Sequence, residues 1–153
     1  MSVISPPLRA HLTFDERCRS RLLLRLEGGE PAALIIERGR VLRNGDCVRL
    51  VDGRQIEIVA ADESLLEAVS TDPLIILKAA YHLGNRHVAV QLMPDRLRFA
   101  ADHVLADMVA GLGLTVQAVV APFEPEGGAY GHTHAHAGGA ASALPKIHSF
   151  SAQ

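Results

Sequence analysis

The histidines of this chain are its clearest candidates for chemistry. Three of them, His132, His134 and His136, stand at alternate positions in the stretch GAYGHTHAHAGG, residues 128–139. Imidazole suits Ni²⁺, Cu²⁺ and Zn²⁺, and short histidine-rich tracts commonly bind such ions. Ordering such a tract costs roughly 1–2 kcal/mol per residue, which predicts modest affinity. The alternative is a solvated low-complexity tail without a bound ion. His148 is a fourth histidine close to the end of the chain.

A second candidate is the stretch AYHLGNRHVAVQ, residues 80–91, which carries His82 and His87. A histidine near a helix C-terminus, as predicted for His82, often does no more than favour the helix dipole. His87 follows a Gly-Asn turn and is held between a predicted helix and a predicted strand. One chain offers few fixed ligands here, whereas a metal site needs four to six donors. A specific site would therefore require a second copy of the chain or help from the tail.

A third candidate, His103, follows Asp102 at the predicted start of a helix. It is either an auxiliary metal ligand or an exposed histidine of the first turn. The sequence contains no HExxH, GxSxG, P-loop or GxGxxG pattern, and GLGLTV at 111–116 lies after a helix and before a strand, the reverse of the dinucleotide-binding order. An enzyme is therefore disfavoured.

The elements that would position these residues fall into two groups. The first 62 residues read as short strands at 21–26, 32–37, 47–51 and 55–60, separated by glycine-containing turns such as Gly28-Gly29. This pattern predicts a small all-β N-terminal domain, residues 1–63.

A different order follows, with strands at 65–69, 87–93, 97–100 and 115–120 and helices at 73–83 and 103–110. Asp72 and Asp102 are the predicted N-caps, and Gly84 and Asn85 are the residues expected to end the first helix in left-handed conformation. The order βαββαβ is that of a ferredoxin-like fold, predicted here for residues 64–122. The fold class is α+β, and residues 123–153 are predicted to form a flexible histidine-containing tail.

Composition excludes several classes of protein. The net charge is −2 with acidic and basic residues mixed along the chain, so no nucleic acid partner is expected. The two cysteines, Cys18 and Cys47, match no zinc-ribbon spacing and suit a reducing compartment. Neither a signal peptide nor a membrane span is apparent, which predicts a cytoplasmic location and no membrane association.

The chain resembles a known family along nearly its whole length. The most specific segments are AYHLGNRH, DHVLADM and FEPEGGAYGH, which together resemble the C-terminal domain of UreE, the urease accessory metallochaperone that delivers nickel. The resemblance implies a homodimer in which His87 of each subunit binds one Ni²⁺ on the two-fold axis. Zn²⁺ and Cu²⁺ would compete for the same site.

The resemblance also assigns the remaining candidates. Histidines of the tail complete the coordination or hold further ions, and His132, His134, His136 and His148 are the available donors. His103 matches the histidine of the family's DHVL motif, but Ala101 stands where a second histidine is often found, so a paired site does not carry over. The implied partners are the urease maturation GTPase UreG and, through it, the complex of accessory proteins with apo-urease.

Two other functions remain open at the level of the sequence. One is a nonspecific buffer of divalent metals, in which the tail dominates and His87 is only structural. The other is a histidine-ligated zinc hydrolase, which would need a general base and a substrate pocket.

Overall fold

A computed structural model describes residues 7–128 of the chain. Its N-terminal part contains five strands and a short helix: β1 (Leu8–Leu12), α1 (Phe14–Arg17), β2 (Arg21–Arg25), β3 (Pro31–Ile35), β4 (Cys47–Arg49) and β5 (Gln55–Ala60). The C-terminal part follows with β6 (Asp62–Val69), α2 (Pro73–Asn85), β7 (Gln91–Met93), β8 (Arg96–Ala100), α3 (His103–Gly111) and β9 (Thr115–Pro122). Within this range no helix is long and apolar enough to cross a membrane.

The N-terminal part is built from two small sheets around one apolar cluster. Strands β1, β5 and β4 form a three-stranded sheet in that order, with β1 parallel to β5 and β4 antiparallel to it. Strands β2 and β3 form an antiparallel hairpin, and Gly29 takes a φ of 87° in the turn between them. Alternate residues of each strand are buried, for example Leu22 and Leu24, as a half-buried strand requires.

Two elements of this part differ from the sequence prediction. Strand β1 was not predicted, and the helix α1 interrupts what was expected to be an all-β domain. The helix forms because Thr13 and Glu16 make a capping box, in which each side chain accepts a hydrogen bond from the other residue's backbone amide. Two reciprocal bonds stabilise even a single helical turn.

The C-terminal part has the predicted ferredoxin-like arrangement. Its four strands are antiparallel in the order β7-β8-β6-β9, the order that a split βαβ unit produces. Both helices contribute to the core on one face of the sheet, with Ile76, Ala79 and Leu83 from α2 and Val109 from α3. The α+β fold class expected from the sequence is confirmed.

The caps of the two helices were predicted correctly, while the end of α2 and the start of β7 were not. The side chain of Asp72 accepts a hydrogen bond from the amide of Leu74, and that of Asp102 accepts from Val104 and Leu105. Helix α2 extends to Asn85, beyond the predicted end at residue 83, and β7 begins only at Gln91. The intervening residues form a turn that carries His87.

Residues Phe123–Gly128, called the strap below, lie against both parts of the molecule. The amide of Glu126 donates a hydrogen bond to the carbonyl oxygen of Val90, and Phe123 and Pro125 are buried. We had expected a flexible tail from residue 123 onward. Instead, Phe123 and Pro125 pack, and Phe123 stacks edge to face on Phe14 with ring centroids 5.5 Å apart, while residues 126–128 are exposed.

Candidate metal centre

The C-terminus of α2 is closed by two backbone hydrogen bonds that involve the His87 turn. The amide of Val88 donates to the carbonyl oxygen of Leu83 over 3.2 Å, and the amide of His87 donates to that of Gly84 over 2.9 Å. This pair of bonds is the Schellman arrangement, in which the residue after the C-cap takes a left-handed conformation. Arg86 is the C-cap and His87 is the left-handed residue, with φ of 57°.

His87 occupies a position that ordinarily favours glycine. Within residues 7–128 it is the one non-glycine residue with a positive φ. This conformation costs roughly 1–2 kcal/mol for an L-residue, because the Cβ crowds the following carbonyl oxygen. The residue is exposed, so burial of the ring does not offset the cost. Strain retained at an exposed polar residue is a pattern found at functional sites.

The left-handed residue lies further along the chain than the sequence predicted. We expected Gly84 and Asn85 to end the helix, but both are helical. Val88 packs against the core cluster that contains Leu83, which is the apolar contact that accompanies a Schellman turn. Packing of Val88 therefore selects the position of the turn, although Gly84 and Asn85 have the better intrinsic propensity for it.

Two other candidate histidines, His82 and His103, do not belong to a complete ligand set within the described region. His82 is exposed on the last turn of α2, where its ring meets that of Tyr81 edge to face at 5.4 Å. His103 is exposed at the first position of α3, directly after its cap Asp102. In the part of the chain that the structure describes, no three His, Cys, Asp or Glu side chains are grouped so that they could hold an ion.

His87 therefore lacks a full ligand set from its own chain between residues 7 and 128. The predicted tail donors lie outside the described residues: His132, His134, His136 and His148. The cysteines are free thiols. Partial burial raises the pKa of Cys18, against the opposing effect of Arg17. The raised pKa lowers the fraction of thiolate available for metal binding.

Helix α2 presents an apolar stripe on its outer side. Leu74, Leu77 and Tyr81 are spaced three and four residues apart, and each is more than half exposed, at 56%, 65% and 66%. This spacing places all three on one face of the helix. Exposed apolar side chains in a contiguous row are typical of a protein–protein contact surface. The stripe runs along the helix that ends at the His87 turn.

An open groove of about 280 Å³ lies beside the same turn. Ala80, Gly84 and Val88 line it on the helix side, and Glu126–Gly128 of the strap also contribute. Gly84 is the residue whose carbonyl oxygen accepts from the His87 amide. The strap thus lies next to the His87 turn. Its residues 126–128 precede His132 by six to four positions in the sequence.

Sequence reasoning missed two features of this region. The apolar stripe could have been found, because PLIILKAAY has apolar residues on every face of a helix and a core needs only one of them. The seating of the strap could not have been found, since it depends on Arg17, which is more than a hundred residues away in sequence.

Comparison with known proteins finds the same family in both parts of the chain. Residues 8–61 match the N-terminal domain of the UreE urease accessory protein, and residues 63–150 match its C-terminal domain. UreE of Dechloromonas aromatica (strain RCB) is 48% identical over 155 aligned positions, 91% of this chain and 89% of that protein. UreE of Pseudomonas putida (strain GB-1) is 52% identical over 78% of this chain and 73% of its own length. With UreE of Burkholderia lata the identity is 47%, over 82% of this chain and 60% of that protein.

The fold and both matches define one class of protein, an accessory protein of urease. The chain belongs to the UreE family. The resemblance noted in AYHLGNRH, DHVLADM and FEPEGGAYGH is thereby confirmed.

Proposed function

We propose that this chain is a nickel metallochaperone that acts in urease maturation and has no catalytic role of its own. It binds Ni²⁺ at His87 of two subunits and passes the ion on by ligand exchange. The observation that carries the proposal is the exposed imidazole of His87 in a left-handed turn that ends a helix with an exposed apolar face. Membership of a family of urease accessory proteins supports the urease context.

A dimer supplies what one chain lacks. His87 has no ligand set within the described residues, so a specific site needs donors from elsewhere. Association through Leu74, Leu77 and Tyr81, with the two copies of α2 running parallel, would bury apolar surface next to the turn and bring a second His87 near the first. A two-fold axis repeats every contact, so one ion on the axis receives two equivalent imidazoles.

The tail histidines complete the site in this proposal. His132 follows the strap after four residues, and the strap borders the groove beside the His87 turn. Donors on a separate segment suit delivery, because they can be exchanged one at a time while His87 keeps its place. His134, His136 and His148 extend the number of available donors, and His103 is an auxiliary ligand at most.

The assignment of nickel as the bound ion rests on the family and not on the type of ligand. Imidazole binds Cu²⁺ more tightly than Ni²⁺ and also binds Zn²⁺, so both ions compete for the site. We propose the urease maturation GTPase UreG as recipient, within the complex of accessory proteins and apo-urease. The strand-rich N-terminal domain is the proposed partner-binding unit.

Metal titration tests the proposal. Metal-free wild type, His87→Gly and a chain truncated after Gly128 are titrated with Ni²⁺ by calorimetry. We expect one tight ion per two chains, lost in His87→Gly and weakened by truncation. If His87→Gly keeps the tight ion and truncation removes it, the chain is a tail-dominated metal buffer. Apo-urease activation with each variant then tests delivery, which should follow the tight site.

A further inference from the structure

The strap is fixed from the N-terminal side by a buried arginine. The side chain of Arg17 is fully buried, and its guanidinium donates hydrogen bonds to the carbonyl oxygen of Phe123 and to the carboxylate of Glu124. It also donates to the carbonyl oxygens of Leu42, at 3.1 Å, and Leu12, at 3.3 Å. Arg17 therefore joins the N-terminal core to the strap.

Two neighbouring residues strengthen this attachment. The guanidinium of Arg43 donates to the carbonyl oxygen of Pro125 over 2.6 Å. The backbone amide of Asn44 donates to the Glu124 carboxylate over 3.3 Å. The strap is thus held at three consecutive residues by the N-terminal part.

The opposite edge of the strap is fixed by the C-terminal part. The amide of Glu124 donates to the side-chain oxygen of Gln91 over 3.1 Å, and the amide of Glu126 donates to the carbonyl oxygen of Val90 over 2.8 Å. Val90 and Gln91 directly follow the His87 turn in sequence. The strap is therefore tied to the segment that carries the candidate ligand.

Release of the strap from the N-terminal part is therefore energetically unfavourable. A buried guanidinium needs an acceptor for each of its donors, and an unpaired buried charge is strongly destabilising. Phe123 and Glu124 supply two of those acceptors. Release of the strap would leave Arg17 buried and partly unpaired.

We propose that Arg17, Arg43 and Gln91 are positioning residues for the metal site. Through the strap they fix the point beside His87 from which the chain continues towards His132. This inference rests on the proposed function, because it assigns a role to the tail histidines. Without the strap contacts, the last fixed residue before His132 would be near Pro122 instead of Glu126. The connection to His132 would lengthen from six residues to ten, which would lower the effective concentration of the tail donors at His87 and weaken binding about twofold.

A double-mutant cycle tests the proposal. Gln91→Met combined with Arg43→Met removes the acceptor of the Glu124 amide and the donor to the Pro125 carbonyl oxygen with little change in side-chain volume. Its effect on Ni²⁺ affinity is measured in the full-length chain and in the chain truncated after Gly128. We expect binding that is weaker by up to about twofold in the full-length chain and no change in the truncated one. A merely structural role would weaken both equally.

Three outcomes would overturn the positioning role: no effect in the full-length chain, an equal effect in both chains, or wild-type affinity that does not depend on the tail. Failure of the proposed function is seen separately, as retention of the tight ion by His87→Gly. Arg49→Met is the control for the loss of an arginine, since Arg49 is exposed on β4. Arg17→Lys keeps the charge but not the planar fork, and should show the largest effect if it folds.

Discussion

At the scale of single residues, His87 combines a strained backbone with an exposed imidazole. Replacement by glycine relieves the left-handed strain but increases the entropy of the unfolded chain, and the two effects are of similar size. We predict that His87→Gly leaves the free energy of unfolding unchanged or raises it by up to about 1 kcal/mol. Urea denaturation of the metal-free protein measures this.

His87→Val is the matched control, because a β-branched side chain suits this conformation least. It should lower the free energy of unfolding by about 1 kcal/mol. If both variants were destabilised by the same amount, the imidazole would have a structural role and the strain argument would fail.

Glu67 is the second residue whose chemistry is set by its surroundings. Its side chain is 3% exposed and accepts hydrogen bonds from Arg98 at 2.8 Å, Gln117 at 3.0 Å and Arg96 at 3.2 Å. The hydrogen bond from Arg98 lowers the pKa of the carboxyl below its usual value, against the opposing effect of burial. The ionised form is therefore the stabilising one.

We predict that Glu67→Gln lowers the free energy of unfolding by about 1–3 kcal/mol at pH 7. Because the folded-state pKa is lowered, the contribution is present above the unfolded-state pKa and is lost as pH falls through the folded-state value. The gap between wild type and variant should therefore narrow as the pH falls below the ordinary glutamate pKa of about 4.3, as measured by urea denaturation across pH. A gap that did not depend on pH would show that the charge is not the cause. Glu57→Gln, which removes an exposed ion pair with Arg9, should cost far less.

At the scale of elements, helix α2 determines where His87 stands. Its N-terminus is fixed by Asp72 and Pro73, and its C-terminus by the packing of Val88. We predict that Asp72→Ala lowers the free energy of unfolding by about 1 kcal/mol and that Asp72→Asn recovers most of the loss. Thermal denaturation measures both variants.

The Ni²⁺ affinity of Asp72→Ala should stay within about twofold of wild type, because the fraction folded remains near one after such a loss. A large loss of Ni²⁺ affinity in Asp72→Ala, under conditions in which the variant is fully folded, would mean that the cap also controls the His87 turn.

How far the sequence predicted these elements depends on whether their signals are local. The caps Asp72 and Asp102 and the turn at Gly28-Gly29 were predicted because each acts on residues within three or four positions. The His87 turn was misplaced, because its position depends on the packing of Val88 into a core formed by distant strands. The strap was missed for the same reason, since its partner Arg17 lies in another domain. His87 was singled out from its position after a Gly-Asn turn, its role as a shared ligand was predicted from the family resemblance, and its conformation was seen only in the structure.

At the scale of the whole molecule, the proposed dimer explains why α2 leaves Leu77 and Tyr81 exposed. We predict that Leu77→Glu yields a monomer, because a charge at the centre of an apolar interface has no partner. Sedimentation velocity of the metal-free protein measures the change. Val120→Glu is the control, since Val120 is 72% exposed on β9 and should leave the dimer intact. Dissociation by the control but not by Leu77→Glu would place the interface elsewhere.

The central claim is that one Ni²⁺ is shared by two copies of His87. Native mass spectrometry of a mixture of wild-type and His87→Gly chains resolves three dimers by mass in a single spectrum. With Ni²⁺ supplied below saturation, the wild-type dimer should carry one ion. The mixed dimer should lose the ion as fully as the dimer of two His87→Gly chains does. A mixed dimer that retains the ion like wild type would contradict the account, because each chain would then bind metal without its partner.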